Sequence, residues 1–214
     1  MRGYLVPSVL GRPGNDVLLA NDLDVPVVVL DVHELEITEP RADFDEEVAA
    51  VEAWARDGHM PDIGPARALY RHFGIDPTRY RPSSEALLRR VLRGEHLPRV
   101  NSLVDVANVV SLRLQVPIGL YDLALIQGSL TLRLGREGET YAGIRKDVVS
   151  VAGRICVADD AGPCGNPTAD SARTMITTAT ERAAWLFFLP VAERDLRWTY
   201  ELVARYGRGL VRLP

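Results

Sequence analysis

NSLVDVANVVSL, residues 101–112, decides how this chain is read. Its Leu, Val and Ala side chains cover nearly every side of a helix, which predicts a buried rod starting near Asn101 and ending before Pro117. At about 100° per residue, Asn101, Asp105 and Asn108 fall within about 60° of one another and form one polar stripe. A stripe of that kind faces water, satisfies buried backbone or lines a pocket. Periodicity alone leaves the three open.

Working outward, the upstream sequence is helical after two β-like runs, VLLA (17–20) and VVVLDV (27–32). In DFDEEVAAVEAWARDG the apolar positions Phe44, Val48, Val51 and Ala55 predict a helix capped by Asp43 and stopped by Gly58. PARALYRHFG runs from Pro65 to Gly74, and SSEALLRRVLRG from a cap at Ser83 or Ser84 to Gly94. Downstream, residues 119–144 alternate strand-like segments with turns, and GREGE marks a hairpin. RICVADD opens a strand, DDAGPCGNPTADSART reads as a long loop, TERAAWLFFLP leads into a buried strand, and VAERDLRWTYELVARYG closes as a helix. The expected architecture is α/β in the mixed, α+β-like sense: helices covering a buried, mostly antiparallel sheet.

Of the 214 residues, 47% are hydrophobic and 25% charged, and no run approaches the ~18 apolar residues that span a bilayer. The first 16 residues lack a sustained apolar core, which argues against a leader peptide and makes the cytoplasm the default. Cys156 and Cys164 lack metal-finger spacing and read as two reduced thiols. His33, His59, His72 and His96 are scattered, so no metal site is expected. No GxGxxG, GxxxxGK[ST] or GxSxG occurs, and no cofactor is implied.

The net charge of −4 is uneven. Residues 1–63 hold 4 Arg and 14 acidic residues, whereas residues 64–100 hold 8 Arg against 3. That second block, with Arg81, Arg89, Arg90 and Arg93 along one predicted helix and its approach, is either a phosphate-facing footprint or a solvated helix face. Two constellations could carry chemistry. One is the stripe, with Ser111 at its margin. The other is the loop, whose Asp159, Asn166, Asp170, Ser171 and Arg173 have the reach to close over a ligand. Tyr121 and Asp122 either rim that site or start a strand.

LPRVNSLVDVANVVSLRLQVPIGLYDLALIQGSLTLR resembles the B3/B4 domain of the phenylalanyl-tRNA synthetase beta chain, most specifically in VDVANVV followed by PIGLYD. The likeness runs over roughly residues 80–190, and the chain looks like a free-standing B3/B4 protein. One B3/B4-like domain is therefore expected over 1–214, with an acidic part at 1–64 and the core at 65–214. In the synthetase this domain hydrolyses the ester of tyrosine misattached to the phenylalanine tRNA. The resemblance thus implies a trans-editing factor that binds tRNA and deacylates a mischarged one.

On that reading Asn101, Asp105, Asn108, Gly119, Tyr121, Asn166, Asp170 and Arg173 contact or close over the aminoacyl group, and Arg81, Arg89, Arg90 and Arg93 face tRNA phosphates. The synthetase motif has histidine where Gly119 stands, a loss expected to enlarge the pocket or remove a polar group. Its acidic editing residue aligns within Asp170–Arg173. Two other readings stand beside this one. The first is a non-catalytic module binding tRNA or an amino-acid-like ligand. The second is a partner-binding protein using its acidic N-terminal part.

Overall fold

The AAWLF segment predicted as a buried strand sits between the main layers of the molecule, and both its faces are covered. In the computed structural model, which describes residues 19–59, 62–144 and 146–212, it forms a strand at Ala183–Phe187. Ala183, Trp185 and Phe187 pack into a helical core on one side, while Ala184, Leu186 and the following Phe188 pack toward a second sheet on the other. Successive side chains of a strand point to opposite faces, so burial on both gives an unbroken apolar run.

In chain order the elements are β1 (Leu19–Asn21), β2 (Val28–His33), α1 (Asp45–Arg56), α2 (Gly64–His72), α3 (Ser83–Leu92), α4 (Ser102–Leu114), β3 (Ile118–Asp122), β4 (Leu130–Leu134), β5 (Thr140–Gly143), β6 (Lys146–Ser150), β7 (Ile155–Asp159), β8 (Gly162–Asn166), β9 (Ala169–Asp170), β10 (Ala183–Phe187), α5 (Glu193–Leu202) and β11 (Leu210–Arg212). One sheet has the order β11-β2-β10-β3 and is antiparallel throughout. The other has the order β1-β4-β7-β8-β9, with only β1 and β4 parallel. β5 and β6 form a separate two-stranded ribbon. The class is mixed α/β with mostly antiparallel sheets, as the sequence predicts. Residues 1–16, read above as lacking a leader-like core, and Val17–Leu18 of the first β-like run lie outside the described residues.

Helix stops follow the glycines. Gly58, Gly74 and Gly94 all have positive φ just beyond the helical residues, the left-handed conformation that ends a helix at little cost when no Cβ is present. Helix starts depart from expectation. Asp43 does not cap α1; it lies in a short 3₁₀ turn and pairs with Arg41, and no side chain caps the helix. Ser83 and Ser84 fall inside the first turn of α3 rather than before it, because Pro82 takes the N-cap position. GREGE turns the chain without making a hairpin: β4 before it pairs with β1 and β7, and β5 after it pairs with β6. The supposed loop 159–174 contains β8 and β9. Glycine and proline there disguise a strand that pairs with β7 through a register shift at Val157/Ala158.

α4 is the buried rod of the helical layer. Leu103, Val106, Val109, Val110 and Leu112 are each at most 1% exposed. It ends where Gln115 turns left-handed at φ 53, with the Gln115 and Ser111 side chains donating to the Leu112 and Val116 carbonyls.

Candidate functional site

α3, α4 and β3 surround a cavity of about 370 Å³, closed by Thr168–Asp170 of the second sheet's edge. β3 and β9 are edge strands of their sheets, so the cavity marks the line where the two layers part. Its wall is apolar, with Leu87, Val104, Ala107, Ile118, Leu120 and Ile176. Val100, Ile144 and Met175 stand partly exposed around it. Asn108, Ser111, Ser83, Thr168 and Asp170 supply the polar groups.

Asp170 is the group of greatest chemical consequence. Its Oδ2 accepts the Leu120 N–H at 3.3 Å, an outward-pointing donor of the edge strand β3. Its Oδ1 is buried and has no hydrogen-bond partner among the described residues. Burial pushes its pKa up to about 7, and the Leu120 N–H restrains the shift. A carboxyl in an apolar cavity that titrates near neutrality is suited to taking or giving a proton, or to holding a cation.

Gly119 and Tyr121 lie on the other face of β3 from Ile118 and Leu120, by the two-residue period of a strand. The histidine-to-glycine difference opens no space here. A Cβ at Gly119 would meet the Tyr121 hydroxyl at 2.5 Å, and one at Gly165 would meet it at 2.6 Å. The fully buried phenol is seated between two glycines, and its hydroxyl has no partner among the described residues. Burial pushes its pKa well above the ordinary value.

The polar stripe of α4 is used to hold the segment before the helix. Asn101 is the N-cap: its Oδ1 accepts the Val104 N–H at 2.9 Å, and its Nδ2 donates to the Ile176 carbonyl at 3.4 Å. Asp105 accepts from Arg99 Nε at 2.6 Å and from the Val100 N–H at 2.7 Å. Asn108 donates to the Pro98 carbonyl at 3.2 Å. Pro98 and Val100 line the cavity, so the stripe builds part of its wall, while only Asn108 of the three lines it directly.

The remaining candidates are dispersed. Asn166 Oδ1 accepts from the Thr168 and Ala169 N–H groups and shapes the β8–β9 turn. Arg173 is bidentate to Asp159 at 2.9 and 2.8 Å. Against the burial of Asp159, Arg173 and the Gln127 N–H hold that carboxylate below its usual range. Arg173 is thus engaged on the sheet and away from the cavity lining. The arginine block divides in two. Arg89 donates to Glu85 at 2.8 Å, and Arg81 comes within 3.5 Å of the same carboxylate, whereas Arg90 and Arg93 pair with Glu95.

Sequence patterns overlooked Ser83 and Thr168. Thr168 links the cavity to α2 through a 2.6 Å hydrogen bond with the Tyr70 hydroxyl. The -NPTAD- segment carried a signal that could have found it, since Thr168 stands two residues from Asp170 on the same strand-side turn. Cys156 and Cys164 are buried free thiols. Among the described residues no His, Cys, Asp and Glu cluster could hold a metal, and no helix is long and apolar enough to cross a membrane.

The chain is 29% identical over 133 residues to the phenylalanine–tRNA ligase beta subunit of Chromobacterium violaceum, covering 58% of this chain and 17% of that protein. It is 34% identical over 83 residues to the beta subunit of Brucella abortus, covering 38% of this chain and 10% of that one. The chain therefore spans less than a fifth of either relative's length. A crystal structure of an N-terminal fragment of the phenylalanyl-tRNA synthetase beta subunit from Pyrococcus horikoshii superposes with a TM-score of 0.47 at 13% identity, covering 94% of this chain and 53% of the fragment. The B3/4 domain profile matches residues 66–209, about two-thirds of the sequence, and the chain belongs to the B3/4 domain family.

Proposed function

We propose that the cavity receives the aminoacyl end of a charged tRNA and hydrolyses its ester, which makes the protein a trans-editing deacylase acting in the cytoplasm. The observation that carries this reading is Asp170: a buried carboxyl in the lining of an apolar-walled cavity, poised near neutrality, with one oxygen that accepts no hydrogen bond among the described residues. The family supplies the context, since its relatives include tRNA ligase subunits.

An aminoacyl ester is already activated, so the protein has little to do beyond placing water and stabilising charge. The amino-acid side chain lies against Leu87, Val104, Ala107 and Ile118. Ionised Asp170 accepts a proton from the attacking water as its oxygen bonds to the ester carbonyl. The tetrahedral intermediate then collapses, and the ribose oxygen leaves with that proton. Asn108 and Thr168 border the same space and contact the reacting group. In this scheme Asn101 and Asp105 position the wall, Gly119 and Tyr121 support β3, and Asn166 and Arg173 hold the β7–β9 region.

Purified protein incubated with a panel of mischarged aminoacyl-tRNAs should deacylate at least one, and Asp170→Asn should lower kcat by about 10²–10⁴-fold while tRNA affinity persists. Intact esters across the whole panel, with binding retained, would instead establish the non-catalytic binding module.

A further inference from the structure

Glu85, in the first turn of α3, is 1% exposed, yet three arginines surround it. Arg67 of α2 reaches it through Nε at 2.8 Å and Nη2 at 2.7 Å, Arg89 donates at 2.8 Å, and Arg81 Nε lies 3.5 Å away. The arginines hold the acid down to about 2, against the opposing effect of burial, so the carboxylate is ionised at any working pH. One negative charge against three positive leaves the cluster two charges in excess.

That excess is placed asymmetrically. Arg67 spends two donors on the carboxylate, and its fork is saturated in the fork-to-fork manner of arginine and carboxylate. Arg89 spends one. Arg81 makes only a long approach, and its Nε is buried without a hydrogen-bond partner among the described residues. Guanidinium donors of Arg81 and Arg89 are thus left over, on side chains that are 39% and 47% exposed. The first turn of α3 adds to this. No side chain caps it, and the Ser83 and Ser84 hydroxyls are buried and unpartnered among the described residues. Ser83 belongs to the cavity lining, so the cluster adjoins the cavity through α3 itself. The other arginine pair differs: Arg90 and Arg93 share the half-exposed Glu95, and one positive charge remains.

We infer that Arg81 and Arg89, held by the buried Glu85–Arg67 pair, form a phosphodiester-binding site beside the cavity, and that it takes the backbone of the RNA strand whose aminoacylated end enters Asp170's pocket. This rests on the function proposed above and narrows it. The RNA-facing part of the arginine block is its Glu85 cluster, and the Glu95 pair contributes less.

The test is the salt dependence of uncharged tRNA binding in the full chain, with inorganic pyrophosphate as a competing probe. Arg81→Gln with Arg89→Gln should weaken binding about tenfold near 0.1 M salt and reduce the slope of log K against log salt by about 1.4, the loss of two single-strand phosphate contacts. Pyrophosphate should displace RNA from the wild type and lose that effect in the variant. Arg90→Gln with Arg93→Gln should change the slope by less. An unchanged slope in the first variant, with its fold intact by circular dichroism, overturns the inference. Should the double variant melt, Arg81→Gln alone reads half the slope change, because Arg67 and Arg89 still pair Glu85. Deacylation is read separately. Absence of hydrolysis with the slope change present sinks the deacylase and leaves this site standing; hydrolysis with no slope change overturns this site alone.

Discussion

The Tyr121 hydroxyl stands 2.5 Å from the point that a Cβ on Gly119 would occupy, and the ring is pinned from the other side by Gly165. Glycine at 119 is a steric requirement of the tyrosine two residues on. Gly119→Ala should therefore overpack β3 and cost about 1–3 kcal/mol in urea unfolding. Tyr121→Phe removes the nearest atom but not the ring carbons at 2.9 and 3.0 Å, so the double variant should recover part of the loss. Strict additivity would show that the two sites do not touch.

Asp170 and Glu85 should give stability opposite slopes with pH. Glu85 is held at about 2 when folded, against 4.5 for a free glutamate, so the unfolded chain binds more protons and stability falls as pH drops through that window. Asp170 is raised from 3.8 to about 7, so the folded chain binds more protons and stability declines as pH rises from about 4 to 7. The second effect amounts to at most about 4 kcal/mol. Urea midpoints measured between pH 4 and pH 8 should decline in the wild type and flatten in Asp170→Asn.

Asp105→Ala should act through stability. It takes the acceptor from the Val100 N–H and removes one partner of Arg99, which keeps Asp45 and the Arg41 carbonyl. The expected loss is about 2–3 kcal/mol, read by chemical denaturation. If the variant keeps full stability while losing tRNA deacylation, Asp105 contacts substrate and the scaffold assignment fails.

Neither cysteine should react in the folded protein. Burial pushes Cys156 up to about 11 and Cys164 up to about 12, so thiolate is scarce at neutral pH. Alkylation by iodoacetamide, followed by mass, should appear only after denaturant is added. Rapid native labelling of either thiol would contradict the packing around β7 and β8.

The helices were legible because their signals are local: a 3.6-residue apolar period and, just past α1, α2 and α3, a glycine. Strand partners were not, because pairing depends on what lies beyond the turn. GREGE bends the chain correctly, but nothing in it says that β4 will choose β1 and β7. β8 was hidden for a different reason, since GPCGN has the composition of a loop and becomes a strand only through its hydrogen bonds to β7. The same divide runs through the site. Asp170 could be named from the sequence as an acid near a ligand, but its burial against Leu120 N–H is a tertiary fact. Asn101, Asp105 and Asn108 share a helical face, yet residues 98–100 engage Asp105 and Asn108, and Asn101 is taken up by Val104 N–H and the Ile176 carbonyl.

β2, at Val28–His33, lies between β10 and β11, although the stretch matched by the family begins only at residue 66. A recombinant fragment cut to the family's borders would lose both β2 and β11, which begins at Leu210, and would bare the flank of β10 that β2 covers. Such a fragment would present a long apolar edge to other copies of itself, and its fate in solution would be self-association. A minimal fragment should therefore begin before β2, because that strand braces β10 and through it β3, which walls the cavity.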